Sequence, residues 1–199
     1  MGFPLAVVLV VVLGSLLVLW ARSDREATSA PRGGDHWHSA YDGYVCDDFR
    51  SKIVVETDPN GIHTLSDGLI HIHPFNKLAS GQDATMGQFF NAFGGRIDDD
   101  SVVLDTGEVL LAGADCNGQP TVVKVGRFDA DDMERDPEVL TEDLANVRFL
   151  KDREAFTIAL VPADVEPPAP RPERLTFLDV VNPRALTSDP SAPAPTTGG

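Results

Sequence analysis

A chain of 199 residues has room for one ordinary domain, and its 42% hydrophobic and 24% charged residues exclude a fully disordered polymer. Sixteen Lys and Arg against 31 Asp and Glu give a formal charge of −15, most of it between Asp35 and Val161. That balance leaves no basic footprint for nucleic acid and disfavours anionic lipid headgroups, whereas cations are attracted.

In chain order, Phe3–Trp20 reads FPLAVVLVVVLGSLLVLW, 18 residues without a charge, against the roughly 20 that a helix needs to cross the hydrocarbon layer. Residues 1–22 are therefore expected to be a transmembrane anchor, with Trp20 at the interface. A cleaved signal peptide is the rival reading, but it calls for a basic start and an Ala-x-Ala-like site. Arg22 and Arg25 follow the span, which by the positive-inside rule favours a cytoplasmic domain. The paired cysteines and the acidic domain point to the extracytoplasmic side of the plasma membrane, the placement preferred here. Residues 23–34 (SDREATSAPRGG) read as a polar tether.

Residues 35–162 form the expected globular domain, and its most legible part is the hairpin GIHTLSDGLIHIHP. A two-residue Asp67-Gly68 loop would mix polar and apolar side chains on both faces. A three-residue loop, Ser66-Asp67-Gly68, with Gly68 in the left-handed region, sets Ile62 against Ile72 and His63 against His71. One face is then aliphatic, and the other carries His63, His71 and His73. A helix follows, signalled by Met86, Phe89, Phe90 and Phe93 at i, i+3, i+4, i+7 spacing, with Thr85-Met86-Gly87-Gln88 in capping-box form and Gly94-Gly95 as its stop. The isoleucine face is the surface for those aromatics to cover. Strands are expected at Val102–Leu104, Glu108–Leu111, Thr121–Phe128 and Phe156–Val161, the last one central, with Thr141 capping a turn at Glu142–Asn146. The fold class is α+β: a small mixed or antiparallel sheet packed on one main helix, in a β-grasp-like order. Nine of the fifteen prolines lie after Val161, so residues 163–199 read as a Pro-rich, largely disordered tail. Within it, Arg174–Val181 is apolar enough to dock as an edge strand, or else stays solvated or binds a partner.

All five histidines fall between His36 and His73. Imidazole suits zinc and copper, and three imidazoles on a rigid sheet supply three donors with a fourth position open. His63, His71 and His73 form the expected set, with His36 and His38 projecting from an extended segment to complete it and Asp35 or Cys46 as further candidates. The acidic surround is expected to raise the imidazole pKa values, so that affinity falls below about pH 6. Two readings stand beside metal binding: a hydrogen-bonded polar face, and catalytic acid–base use. Cys46 and Cys116 are expected to form a disulfide, which by closing about 70 residues would contribute roughly 4 kcal/mol; a thiolate ligand at Cys46 or two free thiols are the alternatives. The acidic run Asp129–Asp136 lacks the Gly and late Glu of an EF-hand and reads as a solvated loop, and Asp98–Asp100 reads as a turn. No phosphate-binding loop, G-x-S-x-G, H-E-x-x-H or C-x-x-C occurs, which leaves an enzyme less favoured than a binding module.

The segments DHWHSAYDGYVCDDF, GIHTLSDGLIHIHPF and SGQDATMGQFF resemble a family of uncharacterised actinobacterial cell-envelope proteins with one N-terminal membrane anchor. The likeness covers roughly His36 to Pro162 and implies an anchored extracytoplasmic domain. Relatives of this kind often read GIHTH, with a histidine where this chain has Leu65, which removes one candidate ligand from the His63 face. The expected function is transition-metal binding by an anchored domain, with the metal cation and the membrane as partners. The alternative is a non-enzymatic scaffold that engages a neighbouring envelope protein through its acidic face or its tail.

Overall fold

The computed structural model describes residues 2–27, 30–55 and 57–183, with side-chain burial given from Val7 to Trp20 in the first stretch. Helix α1 (Gly2–Ala27) is followed by β1 (Trp37–Val45), β2 (Asp48–Phe49), β3 (Ile62–His63), β4 (Leu69–Ile72) and helix α2 (Met86–Ala92). Then come β5 (Arg96–Ile97), β6 (Ser101–Val103), β7 (Val109–Leu111), β8 (Asp115–Cys116), β9 (Gln119–Asp129), β10 (Glu138–Leu140), β11 (Glu154–Pro162) and helix α3 (Pro172–Val181). The fold is α+β with a mixed sheet in the order β10-β9-β11-β1-β4-β3; β2 pairs with β1 and β8 with β9, while β5, β6 and β7 form a separate sheet. Among the described residues the only parallel pairing in the large sheet is that of β1 with β11, which sets Ala40 opposite Ala155.

Alternation along these strands gives the sheet two working faces. On one, Tyr41, Ile62, Ile70, Ile72, Phe156, Ile158 and Leu160 pack with Met86, Phe89 and Phe90 of α2. The Tyr41 and Phe89 rings meet at 5.2 Å. Thr85 caps α2 by accepting the Gln88 N–H, but the Gln88 side chain accepts from Asn60, so only half of the capping box forms. The strand at Glu154–Pro162 is buried along its whole length, as FTIALV suggests.

The other face corrects the expectation of a sheet with one helix and a tail that begins at residue 163. Arg174–Val181 is not an edge strand: it belongs to α3, which lays Leu178 on Ala40, Leu69, Phe128, Ala130 and Ala155 and leaves its outer side in solvent. Pro172 sits in the first turn, where its missing N–H costs nothing. The holding charge is Asp42, 1% exposed at the side chain. It accepts from the Arg171 backbone N–H at 2.9 Å, from Arg171 Nε at 3.0 Å and Nη2 at 2.7 Å, and from Arg174 Nε at 3.3 Å. At the far end, Arg153 donates to Asp179 and to the Asn182 carbonyl, and Asn182 donates to Asp152. Helix α3 therefore runs along β1 from Asp42 towards His38. Between β11 and α3 the chain is held by Lys124, whose ammonium donates to the carbonyls of Ala163 and Val165.

Three smaller corrections follow. Helix α1 continues to Ala27, through residues read as tether. The single turn near Glu142 is at Leu144–Asn146, preceded by Asp143 rather than capped by Thr141. A hairpin at Asn117-Gly118, where both residues have positive φ, joins β8 to β9 and went unread. Cys46 and Cys116 are disulfide-bonded with their Cα atoms 5.6 Å apart, tying the β1–β2 turn to the β8–β9 hairpin. Among the described residues no helix is long and apolar enough to cross a membrane. Within α1 every residue from Val7 to Trp20 is exposed. Residues 184–199 lie outside the described residues.

The double substitution Arg171→Ala/Arg174→Ala leaves the Asp42 carboxylate buried without its guanidinium partners. It is expected to cost about 3–5 kcal/mol in urea denaturation and to open residues 163–182 to proteolysis. Adding Asp42→Asn to that background is expected to recover part of the loss.

Candidate metal centre

The cluster lies on the α3 face of the sheet, at its β1–β4–β3 end. The pairing of β4 with β1 sets His38 opposite His71, and its pairing with β3 sets His71 opposite His63, so three imidazoles stand side by side on adjacent strands. The three-residue turn makes this register, with Gly68 at φ +88° and Ser66 at φ +61°. Asp67 Oδ1 accepts the Leu69 N–H across it. At the open end of the hairpin the His73 N–H donates to the Gly61 carbonyl at 2.7 Å. Gly61, at φ +91°, lies so close to the His73 carbonyl that a Cβ would overlap it. This approach brings His73 beside His63.

All five sequence-predicted histidines come together, each ring meeting two others. Centroid separations are 4.8 Å for His36–His38, 4.8 Å for His38–His71, 5.4 Å for His71–His63, 4.8 Å for His63–His73 and 5.4 Å for His73–His36. His38, His63 and His71 are buried, His73 is half-buried and His36 is exposed. The candidate ligand atoms of His36, His38 and His71 all lie within 4.8 Å of one another, as do those of Asp58, His63 and His73. The other two candidates stand apart from this set: Cys46 is in the disulfide, and Asp35 accepts the Arg32 N–H.

Three carboxylates that sequence reasoning did not assign frame the ring. His71 Nε2 is 2.8 Å from Asp67 Oδ2, and donation to that oxygen leaves Nδ1 with a free lone pair, the arrangement by which carboxylates orient metal-ligating histidines. Asp58 directs one oxygen to each of two rings, Oδ1 at 3.3 Å from His63 Nδ1 and Oδ2 at 3.6 Å from His73 Nε2. Asp152 accepts the His38 backbone N–H at 2.9 Å while receiving the Asn182 amide, so the C-terminal end of α3 reaches the edge of the cluster. A sequence signal existed for Asp67, which stands in the hairpin turn four residues before His71. None existed for Asp152, which is 114 residues from His38.

For His38 and His63 the electrostatics overturn the expectation that the acidic surround raises the imidazole pKa values. His38 is pushed down to about 4, first by burial and then by the neighbouring His71 and His36, which together outweigh Asp152 and Asp67. His63 is also held below its ordinary value, chiefly by burial, against the pull of Asp58. Burial alone would raise Asp67, but hydrogen bonds from His71 and the Leu69 N–H hold it below the usual carboxylate range. His38 and His63 are thus neutral near pH 7, the form in which imidazole ligates a metal.

An imidazole whose folded pKa lies below its unfolded value makes the unfolded chain the stronger proton acceptor, so metal-free protein is expected to lose stability as pH falls from about 6.5 to about 4. His38→Gln is expected to remove up to about 3 kcal/mol of that slope, read as thermal midpoints across that range; an unchanged slope would contradict the assignment of a neutral His38. Comparison with protein-family models, with curated proteins and with solved structures finds no match.

Proposed function

We propose that this protein binds a transition metal, zinc or copper, through the histidine ring on its sheet, and that the apolar run Phe3–Trp20 anchors it in the plasma membrane with the domain on the extracytoplasmic side. The observation that carries the metal reading is the closed ring itself: five imidazoles on three adjacent strands and their flanks, with Asp67 hydrogen-bonded to His71. Nitrogen donors of this kind suit zinc and copper over calcium or magnesium, which prefer oxygen. The disulfide supports an oxidising compartment. The central parallel pair of first and last strands, with α2 across one face, supports the likeness to a β-grasp arrangement. The job proposed for such a site is metal buffering, delivery or structural clamping.

Isothermal titration of the full chain, freed of any affinity tag, with zinc or copper(II) at pH 7 is expected to give a dissociation constant tighter than about 10 μM. His63→Ala/His71→Ala, which removes one imidazole from each end of the ring, is expected to weaken it at least tenfold. Binding absent from the parent chain, or equal in the double variant, would remove the proposal.

A scaffold role is the second reading, favoured by the outer surface of α3, where Phe177, Val180 and Val181 are exposed while Leu178 is buried. On this reading Phe177→Asp/Val180→Asp reduces crosslinking to envelope proteins and leaves metal binding unchanged; an identical crosslinking pattern would count against it.

A further inference from the structure

We infer that the ring is a two-ion centre, with one divalent transition metal held by His36, His38 and His71 and a second by Asp58, His63 and His73. The inference rests on the metal-binding reading above and concerns how that site is divided. The circuit of rings is not uniform. The three contacts inside the two proposed half-sites are all 4.8 Å, and both contacts between them, His71–His63 and His73–His36, are 5.4 Å. Six donors also exceed what one zinc accepts, since zinc takes four ligands and an open site uses three from the protein. Divided three and three, each half keeps a position for water or an exchangeable ligand.

A second observation is independent of the ring spacing. Each half contains one buried imidazole nitrogen that makes no hydrogen bond, His38 Nδ1 in the first and His63 Nδ1 in the second. His63 Nδ1 faces Asp58 Oδ1 at 3.3 Å, an oxygen that already accepts the Gly61 N–H at 2.6 Å. A buried polar atom without a partner carries a desolvation cost, and an ion in each half would relieve both. Donor atoms within 4.8 Å of one another must close to the ~3.4 Å separation set by tetrahedral zinc–nitrogen bonds of ~2.1 Å. Ring rotation supplies that motion at the exposed His36 and the half-buried His73.

The halves differ chemically. The first is three imidazoles with Asp67 behind His71, a set suited to copper and zinc. The second is two imidazoles and a carboxylate, a donor set that also accepts iron(II) or manganese. Mutual repulsion of the two cations is offset by three carboxylates at the site: Asp58, Asp67 and Asp152.

The test is a count. Full-length, tag-free protein stripped with a chelator is saturated with zinc, freed of excess ion by gel filtration and analysed for metal per chain, alongside His36→Ala and His73→Ala, which alter the least buried histidine of each half. The expected result is two zinc per chain for the parent and one for each variant. One zinc in the parent, two retained in either variant, or both lost in either variant overturns the two-ion centre while leaving metal binding intact. No zinc or copper(II) in the parent overturns both.

Discussion

The pairing of β3 with β4 that places Ile62 against Ile72 and His63 against His71 is the constraint on which the remaining structure depends. A slip of one residue would turn every side chain of one strand to the opposite surface. Imidazoles would then face Phe89 and Phe90, and isoleucine would be lifted off the core. The core thus holds the hairpin in the register that collects the histidines. Strand β1 extends the same logic, because Trp37 and Tyr41 pack with the α2 layer while His38, Ala40 and Asp42 face the other way.

That second face is divided into zones by chemistry. At one end Asp42 draws in the two arginines that begin α3; in the middle small residues, Ala40 and Ala155, let Leu178 sit close; at the other end the imidazoles form their circuit beside Asp152. The charged groups are paired and hydrogen-bonded, as buried charge requires. Because Asn182 and the His38 backbone share the Asp152 carboxylate, the docked helix and the candidate metal centre share a support. Docking of the C-terminal segment and the shape of the site are in that sense one structural event.

Local pattern carried the hairpin register, the α2 stripe, the central strand Phe156–Val161 and the gathering of His63, His71 and His73, since each is written in side-chain period and turn chemistry over a few residues. What it missed has a common cause. The Pro-rich composition after Val161 argued against order, yet α3 is ordered by Asp42, 129 positions away from Arg171. The direction of the His38 shift was missed because overall acidity is a long-range, screened property, whereas burial and the two adjacent imidazoles act at contact distance.

The amino-acid sequence by itself determined the α+β class, the two surfaces of the hairpin, the pairing of the two cysteines and the confinement of all five imidazoles to one stretch of chain. Tertiary structure alone decided that β1 lies between β4 and β11, that the five rings close on one another with Asp58, Asp67 and Asp152 around them, and that the last helix covers the same face. The division follows from distance along the chain. Periodicity and turn residues act between neighbours, so they can be read in order; strand adjacency and ion pairing join positions a hundred residues apart and exist only once the sheet has formed.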